Sequence, residues 1–237
     1  MTITSHTNQH LKEIRKLARA SAREQSRRFV AEGEDLYAAA HAAGVDALYV
    51  LCAPGLAAGR ADWHETEPAL LAKASRLGSG TRVIGVYEQR WSTVTGPLVM
   101  ALWGVGDPGN VGTIIRAAHA FGASCVAIGP DCADPYGPKA VRATMGAIFA
   151  TPLARSSDIA DLPGEVVALA PGNHPPLRGP LAGPVTLLVG GERGGLSAEA
   201  LGACDRVCAI TQAAGDSLNA AMAATVALYE ATRMAGQ

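Results

Sequence analysis

The sequence predicts an α/β fold in two parts, and three observations carry that prediction. Short apolar runs that read as strands alternate with segments whose apolar residues recur at helical spacing. The alternation is interrupted at QRWSTVTGP (89–97), whose polar residues and Gly-Pro close read as a linker. Of 237 residues, 49% are hydrophobic and 17% charged, with a net charge of −1, which suits a folded chain with a sizeable core. The first part is expected over residues 1–92 and the second over 97–237. A near-neutral balance alone gives no reason to expect a nucleic-acid partner.

The first part begins with Leu11, Ile14, Leu17 and Ala18 at helical spacing, which puts the basic residues on the opposite face. Within the first 30 residues stand Lys12, Arg15, Lys16, Arg19, Arg23, Arg27 and Arg28 against only Glu13 and Glu24. Such a block is commonly a solvated helix face; the sharper reading is an arm that contacts phosphates. EDLYAAAHAA (34–43) reads as a helix stopped by Gly44, followed by a strand over 45–52, a helix over 67–77 and a strand over 81–88.

The second part alternates more regularly. Strands are expected over 97–103, 124–129, 166–170, 184–190 and 206–210. Helices are expected over 111–122, 139–149 and 217–234, and a Pro/Gly-rich loop over 171–184. Strands separated by helices imply a parallel sheet covered on both faces. The five cysteines lack paired zinc-site spacing and read as small buried thiols of a reducing compartment. With no apolar leader or bilayer-length segment, the chain reads as cytoplasmic and free of the membrane.

ALWGVGDPGNVGTIIRAA (101–118) holds a G-x-G-x-x-G at Gly104, Gly106 and Gly109, between a strand and a helix. Asp131 falls near where the ribose-binding acid of a dinucleotide fold would stand. Against that reading, Pro108 removes a backbone donor from the loop, and such a turn normally opens its sheet domain. Asn110 alone reads as a helix cap, and Arg116 and His119 alone read as surface residues of an amphipathic helix.

Three further stretches change the weight of these residues. YGPKAVRATMGAIFATPL (136–153) places Lys139 and Arg142 near a helix start, and LLVGGERGGLS (187–197) is a strand ending in a glycine-rich loop around Glu192. DSLNAAMAATVALYE (216–230) offers Ser217 as an N-cap, with Met222, Val226 and Tyr229 as a packing stripe. DPGNVGTIIR (107–116), GGERGGLS (190–197) and DSLNAAMAA (216–224) resemble the three ordered motifs of the SpoU/TrmH RNA ribose 2′-O-methyltransferases, of the SPOUT class. The resemblance covers residues 97–237, and PKAVRATMGAIF fits it. The N-terminal 90 residues resemble an L30e-like substrate-binding domain, through the basic helix, RFVAEGEDLYAAA (28–40) and the α/β pattern. The chain departs from the pattern at Thr211, where proline is usual, and at Arg193, where a small residue is common.

The resemblance implies a small L30e-like domain followed by a mostly parallel-sheet SPOUT domain with a C-terminal trefoil knot. It implies S-adenosyl-L-methionine as cofactor, without a metal, held by Gly190, Gly191, Ile210, Gln212 and Leu218. Methyl transfer to an RNA ribose 2′-hydroxyl would fall to Arg116, Asn110, Glu192, Ser217 and Asn219. RNA, ribosomal more than transfer, would be held by Lys12, Arg15, Lys16, Arg19, Arg23, Arg27, Arg28, Lys139 and Arg142. A homodimer through the knotted domain is expected. Two alternatives stand beside this: an RNA-binding member without catalysis, favoured by Thr211, and an NAD-type oxidoreductase, favoured by the glycine spacing.

Overall fold

In the computed structural model, which describes residues 2–76, 80–192, 194–214 and 218–233, the chain forms two units. Met1–Gln89 with Asp134–Ala150 make one, and Arg90–Ala133 with Thr151–Gln237 the other.

The first unit opens with α1 (Gln9–Leu17), capped where the Asn8 side chain accepts from the His10 N–H. Its apolar face buries Leu11, Ile14 and Leu17 against Val30, Leu51, Leu71 and Ile84. Then follow α2 (Ala20–Ser26), β1 (Arg28–Glu32), α3 (Glu34–Ala42), β2 (Tyr49–Cys52), β3 (Trp63–Glu65), α4 (Pro68–Ala74) and β4 (Val83–Glu88). The sheet order is β1-β4-β2-β3, and β4 runs antiparallel to both β1 and β2, with only β2–β3 parallel. This sheet is therefore mixed, through β2, which pairs antiparallel with β4 on one side and parallel with β3 on the other. β1, absent from the sequence reading, adds a second antiparallel pair.

The second unit holds β5 (Leu98–Trp103), α5 (Pro108–Ala120) and β6 (Cys125–Ile128). The chain then returns to the first unit for residues 134–150, including α6 (Pro138–Ala143), and Tyr136 and Phe149 pack their rings 4.8 and 5.9 Å from Phe29. The helix expected over 139–149 stops early because Met145 and Gly146 take left-handed backbone angles, φ 49° and 95°. Only glycine fits at 146: a Cβ there would lie 2.4 Å from the Ala39 Cβ of α3. Back in the second unit come β7 (Leu153–Arg155), β8 (Glu165–Leu169), β9 (Val185–Gly190), α7 (Ala198–Gly202), β10 (Arg206–Cys208) and α8 (Ala220–Thr232).

Its six strands lie in the order β10-β8-β9-β5-β6-β7, and every neighbouring pair is parallel. The central strands read as continuous apolar runs because they are buried on both faces: Val99 to Leu102 and Leu187 and Leu188 are all inaccessible. The chain winds outward from β5 through β6 to β7, then crosses to β8 and returns beside β5 as β9. The order thus reverses between β5 and β9, and ligands of open parallel sheets bind outside the strand carboxyl ends at such a reversal. Trp103 and Gly190 end the two strands in register.

The Tyr87 ring is fully buried against Phe29 and Phe149, yet its hydroxyl has no hydrogen-bond partner among the described residues. Burial pushes the phenol above the usual tyrosine range. Tyr87→Phe removes the unsatisfied group without opening a cavity and is expected to stabilise the protein by about 1 kcal/mol. A lower urea midpoint for the variant would contradict this.

Candidate active site

The segment after β5 turns into α5 through Asp107, whose carboxylate accepts from the Asn110 N–H at 2.9 Å, with Pro108 in the first turn. That cap places Asn110 in the first turn of α5, and its amide Nδ2 donates to Glu192 Oε1 at 2.5 Å. Its Oδ1 accepts from Asn219 Nδ2 at 3.1 Å. Asn219 in turn caps α8, its Oδ1 accepting from the Ala221 and Met222 N–H groups. The relay runs in one direction: Asn110 offers its NH₂ to a Glu192 carboxyl oxygen and keeps its own oxygen for Asn219. Asn110 is tied in this way to residues 82 and 109 positions later in the chain, at the sheet reversal.

Beside the relay lies a cleft of about 420 Å³, within the range of small-molecule sites. It opens outside the carboxyl ends of β8, β9 and β10. Gly190, Gly191, Ile210, Gln212 and Leu218, the five residues expected to hold a cofactor, all line it. Leu169, Val189, Leu196 and Leu201 supply apolar walls. The glycine loop is held tightly: a Cβ on Gly190 would meet the Gly195 carbonyl carbon at 2.4 Å, and one on Gly191 the Gly104 oxygen at 2.1 Å. Of the lining side chains only Glu192 and His174 titrate, and none is Lys or Arg among the described residues. His174 was missed, since its segment read only as a Pro/Gly loop. None of Gly104, Gly106 and Gly109 lines the cleft, so the G-x-G-x-x-G does not face this site.

Arg116 sits on the exposed side of α5 with Thr113 and His119, without a hydrogen-bond or ion-pair partner among the described residues. Ser217 lies outside the described residues. No group of three or more His, Cys, Asp or Glu capable of holding a metal occurs among the described residues, and no helix there is long and apolar enough to cross a membrane.

The basic residues divide. Lys12, Lys16, Arg19, Arg27 and Lys139 are exposed. Arg23 is not available to a phosphate: it is 4% exposed, paired with Asp134 at 2.6 Å, and donates to the Leu17 carbonyl at 2.8 Å. Arg28 is bound to Glu13 at 2.8 Å, Arg142 to Asp35 at 2.7 Å, and Arg15 to the His6 carbonyl at 3.1 Å. Their partners lie on other helices and loops, which charge counting along the chain does not reveal. All five cysteines are free; Cys52, Cys125 and Cys208 are buried, while Cys132 and Cys204 are half-buried.

Residues 97–229 match the family model described as the SpoU rRNA Methylase family. The chain is 38% identical over 145 residues to a 23S rRNA (uridine(2479)-2′-O)-methyltransferase of Streptomyces viridochromogenes, covering 54% of this chain and 49% of that protein. It thus spans about half the length of the curated relatives it matches first. An AdoMet-bound rRNA methyltransferase from Sinorhizobium meliloti superposes with a TM-score of 0.85 at 32% identity, covering 98% of this chain and 97% of that one. The SpoU methyltransferase AviRb from Streptomyces viridochromogenes, in complex with the cofactor AdoMet, gives 0.82 at 26% identity over 95% and 97%. With a mostly parallel sheet, the ordered motifs and a family match across more than half its length, this chain belongs to the SpoU rRNA Methylase family.

Proposed function

We propose that the protein transfers a methyl group from S-adenosyl-L-methionine to a ribose 2′-hydroxyl of structured RNA, ribosomal RNA rather than transfer RNA. The observation that carries this reading is the Glu192–Asn110–Asn219 relay standing at the edge of the Gly190–Gly191 cleft. The cleft fits such a cofactor: its walls are apolar enough for a nucleoside, its glycines admit close backbone approach, and Glu192 supplies the negative charge a sulfonium needs.

Bound there, the cofactor supplies a methyl group on a sulfonium, which is already a good leaving group. The protein's task is therefore to aim the acceptor and ease removal of its proton. Held by Gly190, Gly191, Ile210, Gln212 and Leu218, the cofactor would supply that methyl to the ribose oxygen and keep the S–C bonding pair on sulfur, while the hydroxyl proton would go to solvent. Asn110, held by Glu192 and Asn219, fixes the start of α5 and with it the direction of Arg116. Arg116 contacts the hydroxyl or the adjacent phosphate and stabilises the developing oxyanion. A guanidinium does not normally give up its proton, so this role suits it better than that of a base. Ser217 belongs with these motif residues.

The same reading includes a trefoil knot in the C-terminal part, an L30e-like character for residues 1–92, and a homodimer. Met222, Val226 and Tyr229, spaced i, i+4 and i+7 on α8, are 61%, 37% and 54% exposed, an apolar stripe that a second copy would cover. Tyr229 adjoins Phe121 beyond the end of α5, ring centroids 6.3 Å apart, so the stripe borders the helix that carries Arg116. An Arg116 without a partner among the described residues suits a site completed by the other subunit. Lys12, Lys16, Arg19, Arg27 and Lys139 are the residues offered to RNA phosphates, in the cytoplasm where ribosomal RNA is modified.

The test is thermal. S-adenosylhomocysteine is expected to raise the melting temperature, and a nicotinamide dinucleotide to leave it unchanged. The reverse pattern would overturn the reading.

A further inference from the structure

We propose that His174, as imidazolium, binds the α-carboxylate of the cofactor's methionyl tail. The inference rests on the reading of the cleft as the S-adenosylmethionine site. Such a cofactor brings a sulfonium, an ammonium and a carboxylate into one cleft. Glu192 answers the positive charges, but no Lys or Arg among the described lining residues answers the negative one. A carboxylate drawn out of water without a partner is strongly disfavoured. His174 is the one described lining side chain able to carry a positive charge.

Its placement is built rather than incidental. The segment after β8 is pinned to the end of β10, with the Ala209 N–H donating to the Pro175 carbonyl at 2.9 Å and the Leu177 N–H to Ala209 at 2.8 Å. The His174 N–H itself closes a turn on the Gly172 carbonyl at 3.0 Å. In the sheet order β8 lies one strand beyond β9, away from β5 and its Asn110, so His174 stands on the side remote from methyl transfer. That is where the non-reacting part of the cofactor belongs.

The β9 loop contributes the acidic Glu192, with Arg193 of that loop outside the described residues, while the β10 loop and the start of α8 contribute the uncharged Ile210, Gln212, Leu218 and Ala220. A protonated histidine that gains a carboxylate partner holds it at low pH and releases it as pH rises.

Isothermal titration with S-adenosylhomocysteine and with 5′-methylthioadenosine, which lacks the amino-acid tail, tests this without any turnover. For the wild type, affinity for S-adenosylhomocysteine is expected to fall roughly tenfold between about pH 6 and pH 8, with methylthioadenosine binding flat. His174→Gln should weaken S-adenosylhomocysteine by roughly tenfold at low pH and leave methylthioadenosine unchanged. Retained methylthioadenosine binding also shows that the loop is intact. His174→Lys should restore the affinity and abolish its pH dependence. Equal weakening of both ligands by His174→Gln, or a pH-independent wild type, overturns the proposal while leaving the cofactor site standing. A wild type that binds neither ligand overturns the cofactor reading, and this inference with it.

Discussion

Arg116→Ala is expected to lower methyl transfer by at least about a hundredfold while affinity for S-adenosylhomocysteine stays at the wild-type level. Arg116 is exposed and partnerless among the described residues, so its removal leaves no buried group unsatisfied and the fold should be unaffected. The whole effect should then appear in turnover, because the residues lining the cleft belong to other segments. Arg116→Lys keeps the charge but loses the planar fork, and an intermediate rate is expected. Single-turnover transfer with purified variants measures both. Undiminished turnover in Arg116→Ala would remove this residue from the mechanism.

Arg23→Ala should act in the opposite way, on stability and not on chemistry. Its side chain is buried and satisfied on three sides, by two contacts to Asp134 and one to the Leu17 carbonyl. Truncation strands the Asp134 carboxylate, which is 32% exposed, and opens space beneath α2. With Asp134 still reached by water and still accepting from the Tyr136 N–H, loss of these charged hydrogen bonds destabilises by about 2 kcal/mol. Chemical denaturation should show this as a lower midpoint for the unit containing Asp134. Lys16→Ala, an exposed neighbour of the same charge, should leave stability within about 0.5 kcal/mol. A stable Arg23→Ala protein with weakened RNA binding would place Arg23 back among the RNA contacts.

Arg23 also marks where sequence reading stops. Its charge and position match those of Lys16 and Arg19, yet its partner lies 111 residues away in a segment that joins the first unit from the middle of the second. The parallel sheet was legible because strands buried on both faces are written as apolar runs, as in LVMALW and VTLLVG. β3 and β7 were not legible, since three residues carry too little periodicity to show. RFVAE hid as a strand because it sits between helices and pairs with β4, some 55 residues later, in an antiparallel register only the fold supplies.

The site was partly legible for a different reason. Asn110, Glu192 and Asn219 sit in three ordered motifs, and the structure joins them by hydrogen bonds. The conspicuous glycine spacing before Asn110 proved a turn toward α5 and not a wall of the cleft. His174 lacked any motif, and its place follows only from the strand order that sets β8 between β10 and β9. The stripe on α8 reads the same in sequence whether it meets its own core or another chain; its exposure is what separates the two.

The most direct measurement is transfer of labelled methyl from S-adenosylmethionine to ribosomal RNA, followed by mapping of the modified position. Label on a single ribose 2′-oxygen, lost in Arg116→Ala, is the expected result. Label on a base, or no transfer by a protein that binds S-adenosylhomocysteine, would contradict it.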